Sequence, residues 1–177
     1  MPRIPYVPED ISQPADVVDA IRTRRGGGLI NLDRQLLHSP AVAAGWNVYM
    51  GAIRTQLTLS PQLREIAMCV VAILNGAEYE FHHHAPELLK AGGAAAQVAA
   101  LRDPDSALIS EGIFDASGIA CIALTIEMTR NIKVSDATFA AMRSYLNNQT
   151  MIELISVIAA YNMVSRFLVA LDIQPEV

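Results

Sequence analysis

The chain has 177 residues, 52% of them apolar and only 6% aromatic, with a formal net charge of −5. That length suits one domain with a sizeable core and is short for two. The negative charge excludes nucleic acid as a partner, because phosphate binding needs clustered Lys and Arg. The basic cluster Arg22, Arg24 and Arg25 reads instead as a solvated helix end.

With so few aromatics the core must be built from Ala, Leu, Ile, Val and Met, which are helix-core residues. An Ala-rich chain this apolar is expected to hide part of its surface in a homo-oligomer. Cys69 and Cys121 sit in apolar stretches and read as buried, inert thiols. Pro2, Pro5 and Pro8 with Glu9 and Asp10 spoil any apolar leader. The most apolar segment, 151–171, is interrupted by Glu153, Ser156, Asn162, Ser165 and Arg166, which argues against a membrane span. A cytoplasmic protein with no membrane partner is the expectation.

Residues 1–14 carry four prolines and read as an extended arm, wrapped on a neighbour or loose. A short helix follows over 15–24, and Gly26-Gly27-Gly28 breaks it. Helices are expected over 30–38 and 41–56, the second carrying Trp46, Tyr49, Met50 and Ile53 on one face. Ser60-Pro61 launches a helix to about 75, stopped by Asn75-Gly76. The next runs from about 78 to 91, and Pro86 should kink or split it. Short helices are expected at 94–101 and 105–112, then at 116–130 capped by Asp115 and 136–146 capped by Ser135. Thr150 and Glu153 form a capping-box pattern opening a last helix to about 171. That helix is apolar on most sides, so it is either central or covered by a partner subunit. No strand pattern is present.

The chemistry concentrates in Arg64-Glu65, an apolar run, then Glu78-Tyr79-Glu80-Phe81-His82-His83-His84. On a helix Glu80 pairs with His84, Tyr79 with His83, and Glu78 with His82, in directions about 100° apart. Ala77, Phe81, Leu88 and Ala91 mark the inward side, and Glu80 with His84 lie beside it. A carboxylate next to an imidazole in a sheltered place is a proton-transfer unit, with both groups titrating nearer neutrality. Glu65, on the preceding antiparallel helix, can reach the same spot. The same spacing also suits a surface pair worth a few tenths of a kcal/mol. Adjacent His82, His83 and His84 splay apart and cannot share one metal; Glu80 and His84 would supply only two ligands, and His38 is the remaining histidine. Neither a metal nor a cofactor is expected.

Arg64-Glu65, the spacer, Tyr79-Glu80-Phe81 and His84 resemble the core motif of the carboxymuconolactone decarboxylase and alkyl hydroperoxidase D family. Asn31-Leu32, Leu37-His38-Ser39-Pro40, Glu153-Leu154 and the run from Tyr161 to Phe167 look like its longer members, so the likeness spans roughly 28–171. The resemblance implies an all-α multi-helix bundle over 28–177, preceded by the arm and short helix of 1–27, and assembly as a dimer, trimer or hexamer. The peroxide-reducing branch uses Glu, Cys-x-x-Cys and His. Carried over, Glu falls on Glu65 and His on His84, while the two Cys positions fall on Ala77 and Glu80. Neither is a thiol, so a peroxidase of that design is disfavoured.

The decarboxylase branch keeps Glu and His without the cysteines. It implies a cofactor-independent lyase acting on a small carboxylic acid or lactone of aromatic catabolism. Glu65, Glu80 and His84 are then the catalytic residues, with His84 moving the proton, Glu80 orienting it and Glu65 a second acid–base. Tyr79, His83 and Arg166 are the expected substrate-binding residues, with Arg64 a further candidate for holding a carboxylate. The alternatives are a peroxidase relying on Cys69 or Cys121, and a non-catalytic helical oligomer or binding protein.

Overall fold

The structure is a computed structural model that describes residues 1–176. Ten helices and no strand occur among the described residues, as the all-α expectation requires. Helices α1 (Ala15–Arg25), α2 (Asn31–Leu36) and α3 (Pro40–Thr55) lie in one compact unit, Met1–Gln56 together with the chain from Leu168 onward. The second unit, Leu57–Phe167, holds α4 (Pro61–Leu74), α5 (Glu78–Lys90), α6 (Ala95–Ala100), α7 (Pro104–Leu108), α8 (Ala116–Asn131), α9 (Asp136–Arg143) and most of α10 (Asn148–Leu171).

In the first unit the proline-rich arm is not loose but held on its own chain. Its carbonyls accept side-chain donors of α2 and the residues after it: Val7 from Arg34, Ile4 from Gln35, and Pro5 from His38 Nε2. Proline has no backbone donor and leaves its chain extended, so side chains take over the role that a ladder or helix would play.

In the second unit α4 packs against α5 and α8. Every residue from Glu65 to Ala72 is buried, so α4 rather than α10 is the helix enclosed on all sides. Helix α10 buries Met151, Leu154, Val157, Ile158, Tyr161 and Val164 but exposes Ile152 and Met163. It is long and apolar enough to cross a membrane by length and composition, yet half of that window is buried inside the protein.

The chain reverses between α4 and α5 through a glycine that the geometry demands. Gly76 has φ +66°, its N–H bonds Ile73 O, and Ala77 N–H bonds Ala72 O at 2.8 Å. These are the paired bonds of a Schellman stop, in which an L side chain at the left-handed position would be strained. The tight reversal returns α5 along α4 and sets its first two turns opposite Glu65. Pro86 does not divide α5, which runs unbroken from Glu78 to Lys90.

Candidate active site

Glu65 projects from the first half of α4, and His84 from the second turn of α5. The two are 2% and 3% exposed. His84 Nδ1 lies 2.6 Å from Glu65 Oε2, while Arg64 Nε donates to Glu65 Oε1 at 3.1 Å. A carboxylate oxygen only accepts, so Nδ1 carries the hydrogen and Nε2 is the nitrogen through which the ring can take up or release a proton. Glu65 thus has one oxygen on an imidazole and the other on a guanidinium, the arrangement that lets a carboxylate remain charged out of water. The ring of His84 meets Tyr161 of α10 edge-on, with centroids 4.8 Å apart, which fixes its plane.

Glu80 makes no hydrogen bond to His84, although it stands one turn earlier on the same helix. Its Oε2 lies 2.6 Å from Ser165 Oγ on α10, and its Oε1 is buried without a hydrogen-bond partner. Sharing a helix face brings two side chains near each other, but it does not choose between partners on the same helix and on a neighbouring one. The hydrogen-bond partner of His84 is Glu65 instead. Burial pushes the Glu80 carboxyl well above its ordinary range.

Tyr79 is buried and packs its ring, tilted, against His83 with ring centroids 4.6 Å apart. Arg166 is exposed, and its guanidinium is folded back on Asn162 of its own helix, outside the Glu65–His84 cluster. Arg64 is the arginine that the fold brings to the site. Ser165 and Tyr161 were missed by the sequence reading. They stand one turn apart in the α10 segment that carried the family likeness, and that spacing was the available signal.

Both cysteines are fully buried and free. Cys69 stands one turn after Glu65 on α4, and burial, then Glu65 and Glu80, push its thiol far above the ordinary range. Burial pushes Cys121 up to about 12. Both shifts disfavour a thiolate at neutral pH.

Residues 40–120 match the carboxymuconolactone decarboxylase family. No curated protein matches the sequence. A peroxidase-related protein with an alkylhydroperoxidase AhpD core from Ralstonia eutropha JMP134 has the same fold, with a TM-score of 0.83 at 18% identity over 99% of this chain and 92% of that one. So does a peroxidase-related protein from Silicibacter sp. TM1040, with a TM-score of 0.81 at 16% identity and the same coverages, 99% and 92%. The debrominase Bmp8, in complex with 2,3,4-tribromopyrrole, gives 0.79 at 16% identity over 97% of this chain and 90% of that one. Residues 40–120 thus match the carboxymuconolactone decarboxylase family, and the chain shares the helical fold of alkylhydroperoxidase AhpD-like proteins, without a cysteine pair at the motif.

Proposed function

We propose that the protein is a cofactor-independent acid–base enzyme, a decarboxylase or related lyase, acting on a small carboxylic acid or lactone. The observation that carries this reading is the Arg64–Glu65–His84 chain, buried at Glu65 and His84, in which a carboxylate anchored by arginine fixes the tautomer of an imidazole. Such a couple gives His84 the two capacities the reaction needs. Neutral, it takes a proton at Nε2 and the Glu65 charge stabilises the imidazolium formed. Protonated, it returns that proton to a carbanion or enolate. Arg64 adds a positive charge that favours a carboxylate in the vicinity. The likeness to the carboxymuconolactone decarboxylase family supports catalysis in general, and the debrominase shows that this fold also hosts other chemistry.

The test is a panel of small lactone acids and β-keto acids, read by carbon dioxide release and by solvent-deuterium incorporation at carbon. A substrate turned over by the natural protein should lose about 10²–10⁴-fold in rate in His84→Ala and in Glu65→Gln. Turnover unchanged in both variants would remove the couple from the mechanism. Activity that dies in Cys69→Ser instead would move the chemistry to sulfur.

A further inference from the structure

Ser165 has one hydroxyl hydrogen and two short oxygen contacts. Its Oγ lies 2.8 Å from the Tyr161 carbonyl, one turn back on α10, and 2.6 Å from Glu80 Oε2. The carbonyl has no hydrogen to give, so it takes the one from Ser165, the common habit of a serine inside a helix. The Glu80 contact is then a hydrogen bond only if Glu80 is the donor. The bare Oε1 points the same way. An ionised carboxylate would leave half its charge dry and unbonded there, whereas the carbonyl oxygen of a neutral acid tolerates that at lower cost.

We propose that Ser165 is the positioning residue of the site: it accepts the Glu80 Oε2–H, passes its own hydrogen to the Tyr161 carbonyl, and so keeps Glu80 an uncharged acid beside the Glu65–His84 couple. On α4, Cys69 lies within electrostatic reach of Glu80, and also of Glu65 and of Arg102 from the segment after α6; on α5, His84 stands one turn after Glu80 and contacts Glu65 and Tyr161 of α10. Resting on the acid–base reading above, this arrangement leaves Glu65 as the one fixed negative charge facing Arg64 and His84, the condition under which a small carboxylate can enter. It also stores a second proton within the cluster.

The test needs no substrate, so its failure is separate from a failure to find turnover. Glutamate side-chain carboxyls are labelled with ¹³C and titrated by NMR in the full chain, the Glu80 signal being the one missing in Glu80→Gln. Glu80 should still be protonated at pH 7, when exposed glutamates have ionised. Ser165→Ala removes the acceptor of the neutral form and should lower the Glu80 midpoint by roughly half a unit to one unit. Ser165→Thr, which keeps the hydroxyl, should restore it. A Glu80 already ionised at pH 7 overturns the proposal. So does a midpoint that stays put or rises in Ser165→Ala, since a serine donating to a carboxylate has that opposite sign. Should Ser165→Ala fail to fold, Ser165→Cys, a weaker acceptor of similar size, supplies the same sign test.

Discussion

Asp33 shows what this fold demands of a fully buried charge. It is 0% exposed and takes a fork of two bonds from Arg25, at 2.9 and 3.0 Å, with a third from the Ile30 N–H. Arg24 adds its charge at 3.5 Å. Replacing Asp33 with Ala would leave two half-sheltered guanidinium groups without their counter-charge, a loss expected to cost about 3–5 kcal/mol in urea unfolding. Sulfur presents the opposite case. Cys69 and Cys121 are each 0% exposed, so a thiol reagent should label neither in the native protein and both on unfolding. Rapid native labelling of Cys69 would reopen a thiol mechanism. At this scale Glu65 and His84 were legible in the sequence, because ionisable residues in an apolar helical context must find partners. Ser165 was not, because a serine inside an apolar helix is silent until the residue facing it is known.

Helix ends illustrate how a local motif can be right in position and wrong in partner. Asp115 and Ser135 cap α8 and α9 as the sequence suggested, accepting from Gly118 and Thr138. Ser60 stands at the start of α4 but makes no side-chain cap bond. Thr150 does not open α10; Asn147 does, accepting from the Thr150 N–H at 2.9 Å. Glu153, released from that capping box, instead accepts from the N–H groups of Thr58 and Leu59, at 2.9 and 2.7 Å. It therefore ties the turn ahead of α4 to α10, a contact between residues far apart in sequence that periodicity cannot reveal. Partial burial works against its charge, but the donors of Gln149, Leu59 and Thr58 hold its carboxyl below the ordinary value. Glu153→Ala should cost roughly 1–2 kcal/mol, measured by thermal or urea unfolding at neutral pH, because two backbone donors lose their acceptor. Glu153→Gln should lose less, since its amide oxygen can still accept.

For the molecule as a whole, helix type and order were legible because Ala-rich apolar periodicity and Gly, Pro and Asn stops act locally. The neighbours of each helix were not, since they depend on contacts across the fold. That difference gives the pH dependence of stability two limbs of opposite sign. Asp103, Asp105, Glu127 and Glu153 all sit below their ordinary values, held there chiefly by hydrogen bonds from Ser106, Arg130 and Thr138 for the first three. Each contributes stability that is present above the unfolded value and lost as pH falls through the folded one. Glu80 does the reverse. The unfolded chain ionises it near 4.5 while the fold keeps the proton, so the native state binds more protons and stability declines as pH rises. The slope is at most about 1.4 kcal/mol per pH unit, and it ends at the folded value. Urea midpoints measured across pH should therefore climb from acid to about pH 5 and then fall. Glu80→Gln keeps a donor for Ser165 but has no proton to lose, so it should retain the acid limb, flatten the decline and be more stable than the natural protein at pH 8. A flat natural profile with a weaker Glu80→Gln would mean that the buried carboxyl is charged, and the electrostatics of the site would have to be redrawn around two ionised glutamates.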